Sequence, residues 1–186
     1  MKKVVEQIPA ESLALFNETS TYSFDEMLKP KTNENVKGWD EYANLSKFLK
    51  KNFTTISPSL ALEMSKELAD LSKTMNDSLR IRELNNKGMF ARLNVFYSEA
   101  LRLQDMSDIS SIQPSEVKEQ VEKIILVYNS INLKINSVYL QKSFDENVDF
   151  DESIFDFNEE AEAPYRVPKK PRKSKPNRND KPSFRK

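Results

Sequence analysis

Hydrophobic residues recur at intervals of three or four along most of the chain, which is the periodicity of an amphipathic α-helix. The pattern begins at Trp39 and predicts a first helix over 38–52, with acids in its first turn and lysines in its last, as the helix dipole favours. A second helix is predicted to start after Ser57, a favourable N-cap residue, with Pro58 in the first helical position. Its apolar stripe consists of Leu60, Met64, Leu68, Leu71, Met75 and Leu79.

Two further helices are predicted beyond a polar break over about 80–88. The third helix is expected over 89–106, and its apolar side carries Phe90, Leu93, Tyr97, and Ala100 or Leu101. The fourth begins at Pro114, after a Ser/Asp linker over 107–113, and has the most regular seam in the chain: Val117, Val121, Ile124, Tyr128, Ile131, Ile135 and Val138. A strand over 124–128 is the alternative because β-branched residues cluster there, but the length and period of the surrounding pattern favour the helix.

Four amphipathic helices joined by short links predict an all-α fold, an antiparallel bundle of about four helices over 37–143. The preceding residues 1–36 form a predicted arm, with a short helix after Pro9 and an irregular stretch over 19–36. The side chains expected to hold this arm to the core are Tyr22, Phe24, Met27 and Leu28. The helical pattern fails from Phe144, and residues 164–186 combine five prolines with few apolar side chains, which predicts a disordered C-terminal tail.

Charge divides the C-terminal extension into two parts, although the whole chain has a formal net charge of zero. Residues 145–162 contain nine acids and no base, and residues 166–186 contain ten bases and one acid. The predicted organisation is therefore an arm over 1–36, a helical body over 37–143, an acidic segment over 144–163 and a basic tail over 164–186. Charge asymmetry of this kind is typical of interaction tails.

The acidic segment interleaves carboxylates with aromatic rings, which is typical of a docking motif because the acids keep it soluble while the rings enter a groove. We expect Phe150, Phe155 and Phe157 to contact a protein partner. Two alternatives remain open at this stage. The rings could pack on the protein's own helices, or the acidic and basic blocks could neutralise one another, in a pairing that salt would weaken.

The basic tail is suited to capturing polyanions, because lysines and arginines neutralise phosphates and release counterions. The residues expected to do so are Lys169, Lys170, Arg172, Lys173 and Lys175. Nucleic acid and an anionic membrane surface are both candidate ligands, and a solvated end with no ligand is the alternative. The tail contains one aromatic residue, Phe184, and so lacks the repeated stacking platforms of single-strand binders.

Composition excludes much enzyme chemistry. The chain has no Cys and no His, which removes thiol chemistry, His-ligated metals and the usual Ser-His and Cys-His nucleophiles. With only two glycines, Gly-rich phosphate loops are excluded as well. We therefore expect a non-catalytic interaction or scaffold protein with no cofactor and no metal, and a nucleic-acid-associated protein anchored by the basic tail as the alternative.

Compartment is indicated only by what the chain lacks. No stretch approaches the roughly 20 apolar residues that span a membrane. The start, Met1 to Lys3, has the charge of a signal peptide, but the apolar run that should follow is broken at Glu6. We expect a cytoplasmic protein, or alternatively a mature envelope protein whose signal lies outside this sequence.

One stretch resembles a known group of proteins. Residues 71–106 read LSKTMNDSLRIRELNNKGMFARLNVFYSEALRLQDM and are similar to small helical proteins of Bacteroidetes, especially flavobacteria. Together with the fourth helix, the resemblance covers about 37–142. It implies a helical envelope protein, often a lipoprotein, of unknown role, and it brings no catalytic residue with it.

Overall fold

The computed structural model describes residues 10–147, and side chains over 14–146. Within that range the chain is mostly helical, and its two longest helices come last. The elements in chain order are α1 (Ala10–Asn17), β1 (Ser20–Thr21), α2 (Pro30–Asn35), α3 (Asp40–Asn52), β2 (Thr55–Ile56), α4 (Pro58–Glu63), α5 (Ser65–Asp77), α6 (Lys87–Met106) and α7 (Pro114–Asn147). A single 3₁₀ turn, Arg82–Leu84, lies between α5 and α6.

The four substantial helices α3, α5, α6 and α7 pack together, so the predicted all-α bundle is confirmed. Contacts between α6 and α7 show that these helices run antiparallel. The start of α6 at Gly88 lies beside Lys134, late in the body of α7, whereas Glu99, near the end of α6, bonds Gln120 at the start of α7. Helix α3 is antiparallel to α7 as well, since Tyr42 bonds Asn132, whereas Ser46, one turn later in α3, bonds Tyr128, one turn earlier in α7.

Helix starts follow the capping chemistry in the sequence. The Ser57 hydroxyl accepts a hydrogen bond from the Leu60 N–H, and Pro58 takes the first helical position, as predicted. Pro114 begins α7, as predicted. Asn86, which the sequence marks only as a break, is the N-cap of α6, because its Oδ1 accepts from the Met89 N–H at 3.0 Å. Capping therefore places α6 two residues earlier than the predicted start at 89.

The predicted second helix is not continuous. Its backbone bends at Met64, with φ −87° and ψ −2°, and this residue separates α4 from α5. The predicted stripe is also partly wrong, because Leu60 is 36% exposed and Leu71 is only partly buried. Leu68 and Met75 of the stripe are buried as predicted, and small side chains occupy the rest of the buried face: Ala61, Ser65, Ala69 and Ser72. The Ser65 hydroxyl donates to the Leu62 carbonyl of α4, and the Ser72 hydroxyl donates to the Leu68 carbonyl of α5. A pattern of large apolar residues therefore does not reveal that face.

The first and third helices need smaller corrections. Helix α3 starts at Asp40, rather than at 38, because Trp39 has a non-helical backbone and its buried indole N–H donates to the Ser78 hydroxyl at 3.0 Å. In α6 the prediction placed Phe90 and Tyr97 on the core side, but both are only partly buried. Leu93 and Ala100 are buried as predicted, and Met89 and Phe96 are buried in place of Phe90 and Tyr97. The buried set steps by four and three: Met89, Leu93, Phe96, Ala100 and Leu103.

The fourth seam is confirmed in nearly every position. Its residues from Val117 to Ile135 are at most 1% exposed, and Val138 is partly buried. The stretch 124–128 is helical, so the strand alternative is wrong. Helix α7 also continues through Asn147. The prediction that the helical pattern ends at Phe144 is therefore wrong by about one turn.

The arm is more regular than the sequence indicates. Strand β1 pairs antiparallel with β2, so that Ser20 lies opposite Ile56. Helix α2 was not predicted, and it buries Thr32 against the core. Three of the predicted anchors pack against the core: Tyr22, Phe24 and Leu28. The prediction for Met27 is wrong, since this side chain is 59% exposed. A short helix is present at Ala10–Asn17, but Pro9, expected to open it, lies outside the described residues.

Replacing Phe96 by Ala should cost about 3–5 kcal/mol of unfolding free energy, because the ring is fully buried at the centre of the bundle. Its neighbour Val95 is 47% exposed and gives a matched control, for which Val95→Ala should change stability by no more than about 0.5 kcal/mol. Urea unfolding followed by circular dichroism measures both. Similar losses for the two variants would contradict the register assigned to α6.

Candidate functional site

The residues selected from the sequence as contact sites lie outside the described part of the chain. They are Phe150, Phe155, Phe157, Lys169, Lys170, Arg172, Lys173 and Lys175. Their roles remain predictions, as do the disordered tail and the two competing pairings of the acidic segment. The candidate sites in the described residues are therefore surfaces of the helical body.

Two of the three buried asparagines on α7 hold the irregular part of the arm in place. We call Asn129, Asn132 and Asn136 the asparagine row, and all three are at most 7% exposed. Asn132 donates from Nδ2 to the Glu26 carbonyl at 2.7 Å, and Asn136 donates to the Met27 carbonyl at 2.9 Å. Oδ1 of Asn136 accepts the Lys29 N–H at 3.0 Å, so one amide side chain pairs two backbone groups of a segment without regular structure.

The asparagine row also connects the arm to α3. Oδ1 of Asn132 accepts the phenol O–H of Tyr42 at 2.6 Å while the same side chain donates to the arm. The Tyr42 ring stacks between Trp39, at a centroid distance of 5.3 Å, and Tyr128, at 6.4 Å. Burial, and next the neighbouring Tyr128, raise the pKa of Tyr42 far above its usual value. Tyr42 is consequently a neutral structural donor near pH 7.

A second polar contact lies in the same aromatic cluster. Tyr128, fully buried, donates its O–H to the Ser46 hydroxyl at 2.8 Å. Rings of Phe24 from the arm and Phe96 from α6 approach it at centroid distances of 5.8 and 6.3 Å. These rings form one aromatic cluster, which joins the arm, α3, α6 and α7.

A groove of about 500 Å³ lies between the arm and α3, and we call it the lysine groove. Asn132 and Tyr42 contribute to its lining, so the hydrogen bonds that seat the arm also shape the groove. Its apolar lining comes from Met27, Leu28, Val36 and Ala43, and its charged lining is Lys37, Lys47 and Lys50. All the charged side chains that line it are basic.

A neighbouring groove of about 440 Å³ lies between α2 and the C-terminal part of α7, and its charges are mixed. Lys29, Lys31 and Lys142 line it together with Glu34 and Glu146. Lys142 is already engaged, since its Nζ lies 2.8 Å from Oε1 of Glu83. This ion pair raises the pKa of Lys142 and lowers that of Glu83. Opposite charges cancel here, so the lysine groove is the more strongly basic of the two.

The outer face of α7 carries a line of exposed apolar side chains, which we call the leucine row. Its members are Leu126 (59% exposed), Leu133 (54%), Leu140 (61%) and Phe144 (54%). The three leucines recur every seven residues, and an α-helix rotates by only about 20° relative to such a repeat. They therefore form one nearly straight stripe on the solvent side of the helix.

Comparison with other proteins identifies no relative. No family model matches the chain, and neither the curated proteins nor the solved structures give a match. The resemblance to helical Bacteroidetes proteins thus stays a prediction. In the described residues, no helix is long and apolar enough to cross a membrane, and no group of three or more Asp or Glu residues is placed to hold a metal ion.

The sequence does contain a signal for the asparagine row. Asn129, Asn132 and Asn136 step by three and four, parallel to the apolar seam of α7. A polar line of this period beside an apolar seam indicates either a solvated face or a buried face that meets polar backbone. The sequence alone does not decide between the two, because Leu126, Leu133 and Leu140 lie three or four residues from these asparagines and therefore on an adjoining face of the helix.

Replacing Asn136 by Ala should destabilise the fold by about 1–3 kcal/mol, because the Met27 carbonyl and the Lys29 N–H lose a buried partner. Amide hydrogen exchange at Lys29 should accelerate at least tenfold. The Tyr22 N–H donates to the Thr54 carbonyl and should change far less, so it serves as an internal reference.

Asn94→Ala is the matched control variant, since the side chain of Asn94 is exposed and its Oδ1 accepts a bond from Asn76, away from the arm. It should leave the Lys29 exchange rate unchanged. Unaltered exchange at Lys29 in the Asn136 variant would show that α7 does not hold the arm.

Proposed function

We propose that this chain is a non-catalytic interaction protein, with the helical body as a rigid platform for protein partners. The observation that carries the proposal is the leucine row on α7. Single exposed apolar residues are common on protein surfaces, but four on one face of a single helix form an apolar stripe, and exposed apolar surface of this kind is typical of interaction sites.

The spacing of the row indicates which partner fits it. Leucines repeated every seven residues are the pattern that a second amphipathic helix packs against, with its own apolar side chains between successive leucines. Serines and charged residues flank the stripe, including Glu119, Lys123, Ser130 and Ser137. A polar border of this kind would keep the contact confined to the stripe. The proposed occupant is therefore the apolar face of a helix in a different protein.

The C-terminal extension adds a second set of proposed contacts. The row ends at Phe144, and the acidic segment with Phe150, Phe155 and Phe157 follows in the sequence. Apolar contact residues thus continue from the described helix into the segment proposed to dock. Linking two weak contacts in one chain raises the overall affinity, because the second contact forms at a high effective concentration.

Site-specific photocrosslinking tests the row directly. Benzoylphenylalanine is placed at position 133 in the full-length chain and, as a control, at Ile109, which is 47% exposed outside the row. We expect a discrete adduct with another protein at position 133, absent at 109 and lost when Leu126 and Leu140 are changed to Glu. No adduct at 133, or equal adducts at both positions, would count against the proposal, and an adduct of the mass of two chains would assign the row to self-association.

A nucleic-acid-associated role is the alternative, and the segregated charge of the sequence supports it. Ten bases with one acid over 166–186 would bind phosphates without regard to base sequence. Anisotropy with labelled single-stranded RNA, duplex DNA and anionic vesicles, at two salt concentrations, compares the full chain with a version ending at Ala163. Binding that falls with salt and disappears on truncation would support this role, and no binding at low salt would exclude it.

A further inference from the structure

We propose that the lysine groove is a second binding site, which takes an acidic peptide segment of a partner protein that carries an apolar side chain. The site lies between the arm and α3, whereas the leucine row lies on the outer face of α7. The two surfaces are independent, so either can fail its test without the other.

Unpaired basic charge is the first part of the argument. Lys47 and Lys50 are both exposed, and among the described residues neither forms an ion pair. Lys37, on the opposite side of the groove, bonds Glu34. Since no carboxylate lines the groove, its potential is positive and favours an anionic ligand.

The apolar lining narrows the chemistry of the ligand. Met27 is 59% exposed beside Leu28 and Ala43, and its flexible thioether can adapt to an aliphatic or aromatic side chain. A free inorganic anion would leave this apolar surface uncovered. A ligand that combines carboxylates with an apolar side chain satisfies both halves of the groove.

Nucleic acid fits this groove less well than a peptide. Single-stranded nucleic acid binds best where bases stack on exposed rings. The one ring in the lining, that of Tyr42, is 5% exposed, and its neighbours Trp39 and Tyr128 stack with it. The lysines of the groove can therefore attract phosphates, but the groove has no exposed ring on which a base could stack.

Spacing on α3 matches an extended peptide. Lys47 and Lys50 are three residues apart, so their Cβ atoms lie about 5–6 Å apart on one side of the helix. Alternate side chains of an extended chain are separated by about 6.6 Å, from a rise of about 3.3 Å per residue. Acids at alternate positions can thus meet both lysines, while a side chain on the opposite face of the peptide turns toward Met27.

The groove needs little rearrangement to bind. Tyr42 and Asn132 in its lining bond each other, and Asn132 also holds the arm through the Glu26 carbonyl. A surface fixed in this way loses less conformational entropy on binding than a loop that must first become ordered.

Fluorescence anisotropy with the full-length protein tests the proposal. The probe is a labelled peptide, Asp-Leu-Asp-Phe-Asp-Leu-Asp, at low salt. Changing both Lys47 and Lys50 to Glu should weaken binding at least tenfold, and changing both to Gln should weaken it by an intermediate factor. Lys66→Glu with Lys73→Glu, on the exposed side of α5, makes the same change in net charge and should alter the Kd less than twofold. Thermal melts confirm that each variant is folded.

The contribution of the apolar lining of the groove is tested separately. Met27→Ala, and a probe with Ser in place of Leu and Phe, should each weaken binding several-fold. The proposal is overturned if the wild-type protein does not bind the probe at low salt, or if the α5 pair weakens binding as much as the α3 pair. It is also overturned if an RNA oligonucleotide of equal charge binds more tightly than the peptide and depends on the same two lysines.

Discussion

The hydrogen bonds from the asparagine row to the arm are the interaction on which much of the described structure depends. The segment around Glu26 to Lys29 has no helix or strand to pair its backbone groups, and burying them unpaired would be costly. Asn132 and Asn136 supply the missing partners. Because Asn132 also bonds Tyr42, the same side chain positions α3. The lysine groove lies between the arm and α3, so these bonds help to set its width.

The sequence predicts the long elements well and the polar contacts poorly. The α7 seam could be predicted because large apolar residues repeat every three or four positions for many turns, and Ser57, Pro58 and Pro114 mark helix starts by local chemistry. The bend at Met64 could not be predicted, since no proline or glycine lies at that point of the sequence. The buried faces of α4 and α5 use Ala61, Ser65 and Ser72, which look neutral in any hydrophobic pattern.

The arm shows why local reasoning stops short of the candidate site. The order of residues 20–35 depends on partners far away in the sequence: β1 on Thr55 and Ile56, and the irregular turn on α7. Aromatic anchors such as Phe24 can be identified from composition, but the asparagines that pair the backbone cannot be assigned to it without the fold. The lysine groove combines residues from about 27 to 132, so its charge pattern has no counterpart in the linear sequence.

The separation in sequence between the arm and its partners has a consequence for how the chain is made. The bonds from Glu26 and Met27 span 106 and 109 residues, so they form only after nearly the whole body has been synthesised. At translation speeds of about 5–20 residues per second, that delay is on the order of 5–20 s. The arm is thus synthesised early, but it packs against α7 only late in synthesis. During that interval the Phe24 ring and the unpaired backbone of the arm are exposed at the ribosome, where a nascent-chain chaperone would find them.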